Sequence, residues 1–86
     1  MVRALAVELG PHGIRANIIS PGWIDTPMSA PVITKPRVSD AVLPRIPIGR
    51  WGAGADFAGI AVYLASDASR YHTGDTFVID GGYGLV

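Results

Sequence analysis

The sequence predicts an α/β fold of the doubly wound, parallel-sheet type, and three observations carry that expectation. Two short runs are rich in β-branched and apolar residues, Ile14–Ser20 and Thr76–Asp80. The first is nearly continuous rather than alternating, the pattern of strands covered on both faces. Between the two lies a stretch of helical period, Ala55–Ala65, with Phe57, Ile60, Ala61, Leu64 and Ala65 on one face. Strand, helix, strand with buried strands implies a right-handed parallel crossover.

The remaining elements fit around this unit. Val2, Leu5, Ala6 and Leu9 recur at helical spacing, and Gly10-Pro11 is expected to stop that helix. No capping residue precedes Val2, so the chain is expected to begin inside a longer helix. Pro21-Gly22 ends the first strand. Residues 23–49 hold five further prolines and no sustained period, and read as a long loop with one short helical turn at Ser39–Leu43. Arg50–Gly54 is a turn, with Arg50, Trp51 and Asp56 expected to anchor the loop and start the helix. Ser66-Asp67 closes that helix, Gly74 turns the chain into the second strand, and Gly81-Gly82 ends it.

Composition narrows the function classes. Eighty-six residues allow one small domain, whose core buries roughly 60–65% of the unfolded surface. Apolar residues make up 49% and charged ones only 16%, which is rich for a free-standing domain of this size and suits a piece of a larger core. Seven basic and seven acidic residues cancel, and no basic run could track a phosphate backbone, so nucleic acid is not an expected partner. No stretch approaches the ~18 apolar residues of a membrane span. Cysteine is absent, which removes disulfides and thiolate chemistry and fits a cytoplasmic protein. His12 and His72 lie far apart beside turn residues. They are expected to be exposed loop side chains, and no metal site is expected.

In parallel α/β sheets ligands bind beyond the carboxyl ends of the strands. That rule points to Ser20-Pro21-Gly22 and the loop after it. Taken alone, Pro21-Gly22 reads first as a plain turn, and Thr26 as a helix cap.

A family resemblance then emerges from the residues. Leu5-Ala6-Val7-Glu8-Leu9, Gly13-Ile14-Arg15-Ala16-Asn17 and Ser20-Pro21-Gly22-Trp23-Ile24-Asp25-Thr26-Pro27-Met28 resemble the classical short-chain dehydrogenases/reductases. Arg50-Trp51-Gly52, Ala61–Asp67, Thr73-Gly74 and Val78–Gly82 continue the resemblance in order and spacing, which is weakest over residues 29–48. It implies the C-terminal portion of a single NAD(P)-binding Rossmann-like domain spanning 1–86. Ile14–Ser20 and Thr76–Asp80 would be its last two strands, with the N-terminal portion missing.

By the same resemblance, residues 23–49 form the nicotinamide and substrate loop, and the cofactor is NAD or NADP. Pro21 and Gly22 would let the backbone approach a flat ring without an intervening Cβ. A backbone group of Ile24 and the hydroxyl of Thr26 would bond the carboxamide. Asn17 matches a position that ties the loop to the active site, with a structural role the favoured reading; Trp23 and Met28 line the pocket or equally pack the loop; and Asp80-Gly81-Gly82 resembles a subunit-contact region. The implied reaction is hydride transfer between nicotinamide and a small alcohol or carbonyl substrate in a homo-oligomeric parent.

No catalytic residue is expected in this chain. The family's acid/base pair is a tyrosine with a lysine four residues on. None of Tyr63, Tyr71 and Tyr83 has one, and Lys35 is the only lysine. The glycines of Gly49–Gly54 follow no strand and make no dinucleotide fingerprint. The alternative is a non-catalytic α/β fragment or an association partner.

Overall fold

The computed structural model describes residues 1–85. Two strands, β1 (Ile18–Pro21) and β2 (Thr76–Ile79), pair in parallel with Ile18 opposite Thr76 and Pro21 opposite Ile79. Four helices accompany them: α1 (Val2–Leu9), α2 (Ala30–Ile33), α3 (Pro36–Val42) and α4 (Ala58–Ala65). The connection from β1 to β2 runs through α2, α3 and α4, so the strand–helix–strand crossover is present.

Strand β1 is shorter than the apolar run that predicts it. Ladder pairing stops where β2 stops, because residue 75 and those before it turn away into a loop. Residues 14–17 are held instead by bonds to that loop, with the Gly74 N–H donating to the Ala16 carbonyl at 2.8 Å and the Ala16 N–H to Thr73 Oγ1 at 3.0 Å. Nor are both sheet faces covered within this chain: Ile18 is 40% and Val78 63% exposed.

Helix α1 also ends later than Gly10-Pro11 suggests. Gly10 keeps helical angles (φ −53°, ψ −45°), and the chain winds one more 3₁₀ turn through His12. The reversal falls at Gly13, whose φ of +75° suits a residue without a Cβ. Helix α4 begins after a 3₁₀ turn at Gly54–Phe57, so its regular part is shorter than the expected Ala55–Ala65.

The largest departure lies in residues 23–49. They hold α2, α3 and a 3₁₀ turn at Leu43–Arg45. Pro31, Pro36 and Pro44 each fall within the first two residues of one of these elements. There a missing N–H costs nothing and a fixed φ is already helical. Prolines that read as breakers in sequence therefore act as starters. The same segment carries Ile33, Val42 and Ile46, three of the four buried apolar residues among those described, the fourth being Ala6.

The chain is elongated, 50 × 22 × 21 Å, with a radius of gyration of 15.8 Å. A compact domain of this length has about 12 Å. Its accessible surface of 6101 Å² likewise exceeds the about 4,900 Å² of a compact 9.0 kDa protein. Among the described residues no helix is long and apolar enough to cross a membrane.

Candidate functional site

The carboxyl ends of β1 and β2 open onto a cleft of 580 Å³. Pro21, Gly22, Ile24 and Thr26 all line it, so the four predicted site residues converge on one surface. Trp23 lines it too, whereas Met28 is not among the lining residues and stands 91% exposed.

Gly22 closes the strand ladder by donating its N–H to the Ile79 carbonyl at 3.0 Å. A Cβ here would lie 2.6 Å from Asp80 Cβ and 2.7 Å from Asp80 Cα. The close approach that demands glycine is thus to β2's end, inside the chain. Beyond it, Trp23 and Asp25 bridge to Gly52: the Gly52 N–H donates to the Trp23 carbonyl (2.9 Å) and the Asp25 N–H to the Gly52 carbonyl (2.7 Å). Ile24 lies between them. Its carbonyl accepts from Ser29 Oγ at 2.6 Å, and its N–H makes no hydrogen bond among the described residues.

Thr26 fastens the turn before α2, whose own N-cap is Ser29. Thr26 Oγ1 accepts from the Ser29 N–H at 3.1 Å, and its carbonyl from the Ala30 N–H at 2.9 Å. A hydroxyl has one proton and two lone pairs, so accepting from Ser29 leaves its O–H able to donate. Ser29 Oγ at 3.2 Å is one such acceptor. Both sequence readings of Thr26 are chemically compatible. Ser29 itself was not singled out, although Thr26-Pro-Met-Ser29 carries the spacing of a hydroxyl-capped turn.

Arg50 and Asp56 anchor the returning limb of the loop, as expected. The guanidinium makes a two-pronged bond to the carboxylate, 2.8 Å at each nitrogen, and Asp56 Oδ2 also accepts the Ala53 N–H at 2.8 Å. Arg50, followed by the Ala53 amide, holds the Asp56 carboxyl well below the usual range, and Asp56 in turn raises Arg50.

Asn17 sits at the opposite end of the strands, away from the cleft. Its Nδ2 donates to the His72 carbonyl (3.1 Å) and its Oδ1 accepts the Asp75 N–H (3.0 Å). It ties β1 to the loop before β2, the structural role. His72 is no free loop histidine either. Its Nε2 lies 2.7 Å from Asp75 Oδ2 and its Nδ1 2.8 Å from the Tyr63 hydroxyl. With Nε2–H facing a carboxylate, Nδ1 is left to accept from Tyr63. The bond to His72, followed by the Thr76 amide, keeps the Asp75 carboxyl low. Residue spacing gave no sign of this cluster, since Tyr63 comes from α4 and the other two from a loop.

A family model described as enoyl-(acyl carrier protein) reductase matches residues 1–84. The chain is 45% identical over 83 residues to the 2-dehydro-3-deoxy-D-gluconate 5-dehydrogenase of Pseudoalteromonas atlantica, covering 96% of this chain and 33% of that protein. It superposes on a short-chain type dehydrogenase/reductase from Mycobacterium marinum with a TM-score of 0.89 and 45% identity, over 99% of this chain and 32% of that one. A 4-hydroxyisoleucine dehydrogenase complexed with NADH matches with a TM-score of 0.91 and 33% identity, over 99% and 35%. These matches agree with the Rossmann-like fold expected from sequence, and the chain spans about a third of the length of the relatives it matches. With strand pairing, helix order and motif spacing all in agreement, the chain belongs to the short-chain dehydrogenase/reductase family.

Proposed function

We propose that this chain is the C-terminal third of an NAD(P)-dependent oxidoreductase, the part that orients the nicotinamide and walls the substrate cleft. The observation that carries this reading is the cleft at the strands' carboxyl ends, bordered by the Pro21-Gly22 turn. Among the described residues the Ile24 N–H makes no hydrogen bond, and Thr26 Oγ1, which accepts from the Ser29 N–H and donates to Ser29 Oγ, keeps a second lone pair. The first can donate to the oxygen of a nicotinamide carboxamide, and the second can accept from its amide N–H.

The cofactor, when bound, supplies or accepts the hydride exchanged with an alcohol or carbonyl carbon. The chain's own contribution is orientation. Fixing the carboxamide fixes which ring face meets the substrate, and misplacement of a reacting group is costly to rate. Segment 23–49 shapes the other wall, with apolar Val32 and Ile33 on the cleft. The acid/base tyrosine and lysine, the pyrophosphate turn and the adenosine pocket belong to the preceding part of the enzyme.

Trp23 on the cleft and Trp51 behind it, ring centroids 6.0 Å apart and tilted at 48°, give a built-in reporter. Energy transfer from these indoles to NADH or NADPH is expected in the whole protein and absent in residues 1–86 alone, which should also show no turnover. Micromolar cofactor affinity, or cofactor-dependent turnover surviving repurification, in the isolated chain would refute this division of labour. A whole protein that binds neither dinucleotide would refute the reading itself.

A further inference from the structure

Segment 23–49 leaves the sheet and returns to it, and both of its feet meet one tripeptide. On the outgoing side, Gly22 packs against Asp80 at a distance that admits no side chain. On the returning side, the Ile48 N–H donates to the Gly81 carbonyl at 3.1 Å. A Cβ at Gly81 would stand 2.9 Å from Ile46 Cγ2, and one at Gly82 would stand 2.8 Å from Pro47 Cγ. Ile46 is only 4% exposed, so this seat belongs to the loop's own small core.

The tripeptide is shaped for the task. Gly81 and Gly82 have φ of +64° and +90°, which turn the chain back directly after β2. The Asp80 carboxylate fastens that turn by accepting the Gly82 N–H at 2.9 Å and the Gly84 N–H at 3.0 Å. The turn delivers Tyr83 to the cleft, where its ring meets Trp23 edge-on at 6.3 Å, while Arg45 of the returning limb lies 5.4 Å over its face.

We propose that Asp80, Gly81 and Gly82 are positioning residues: a clasp at the end of β2 that fixes both feet of the substrate loop and thereby the width of the substrate cleft. This rests on the reading of residues 23–49 as the substrate loop. Sequence resemblance points to subunit contact for these residues; the intrachain bonds give them a task within the chain as well.

The test uses the complete oxidoreductase carrying this segment, or this segment joined to the N-terminal two-thirds of a full-length relative. Gly81→Ala pushes a methyl into Ile46, and Asp80→Asn keeps the contact with Gly22 while replacing one acceptor oxygen by a donor. Asp80→Asn is the milder change and serves if Gly81→Ala does not fold. Substrate KM is expected to rise about tenfold in either variant, with cofactor Kd within about twofold, because ground-state substrate contacts are lost and cofactor contacts are kept. Hydrogen exchange should quicken at the Ile48 amide and stay slow at the Ile18 amide of β1, whether or not the protein is active. Unchanged exchange at Ile48, or faster exchange there with unchanged KM, overturns the clasp. Uniform loosening that includes Ile18, with KM unchanged, makes the tripeptide merely structural and also overturns it. If the parent protein binds no nicotinamide cofactor, the functional reading fails, while the exchange result still decides whether the tripeptide holds the loop.

Discussion

At the amino ends of β1 and β2, backbone and side chains are tied across the gap. Arg15 donates to the Ser69 carbonyl at 2.7 Å and to the Ser69 hydroxyl, and Asn17 bonds both ways to the loop at His72 and Asp75. Ser69 is 1% exposed, and its oxygen lies within bonding reach of the Leu64 and Ser66 carbonyls as well. Four residues further along the same strands, the carboxyl ends open onto a cleft where the Ile24 N–H makes no hydrogen bond among the described residues. Both ends spend polar groups on the fold, but the cleft end leaves a backbone donor available. Parallel α/β sheets place ligands at the carboxyl ends, and the Ile24 N–H lies on that side.

If the amino end is a structural tie, Arg15→Ala should produce the largest stability loss. It removes two charge-assisted bonds to Ser69, and the expected cost is about 2–3 kcal/mol. Denaturant midpoints of the whole protein would show it, with cofactor affinity unaltered. A comparable loss of affinity would blur the distinction between the two ends.

Thr26→Val sharpens the other side of the comparison. It removes one hydroxyl and should cost about 1 kcal/mol, with turnover falling further than adenine-end binding because the ring loses its orientation. Steady-state kinetics of the whole enzyme checks this. Equal turnover and equal cofactor affinity would leave Thr26 only its bond to Ser29.

The smallest effect concerns pH. Asp56 is held below its ordinary range by Arg50, so the pair's contribution is present above the unfolded pKa of about 3.9 and is lost as pH falls toward the folded value. Thermal melts should therefore lose an increment of stability between about pH 4 and pH 2 that Asp56→Asn lacks. The pair is exposed, 57% at Arg50 and 30% at Asp56, so the increment is small and salt-sensitive. An identical acid limb in the variant would show that Arg50 and Asp56 do not hold the loop's return.

Much of this was legible in the residues. Helical spacing located α1 and α4, and β-branched runs located both strands within a few residues. The sheet rule pointed to Pro21-Gly22, and Pro21, Gly22, Ile24 and Thr26 do share one cleft. What eluded sequence was the loop. Its prolines suggested irregular chain, whereas their positions at helix starts make them compatible with α2 and α3. Whether a proline begins a helix or breaks one depends on where the preceding turn ends, and before α2 that turn is held by Thr26 and Ser29 bonding each other.

Local patterning, then, located α1, α4 and both strands, because side-chain period and branching act within a few residues of their own position. Tertiary structure decided everything that needed residues distant in the chain. It trimmed β1 to the length of its partner, brought Tyr63, His72 and Asp75 together, and set Asp80 where Gly22 has no side chain. The approach of Gly22 to Asp80, like the bond between Arg15 and Ser69, joins residues more than fifty positions apart, and no local preference encodes that distance.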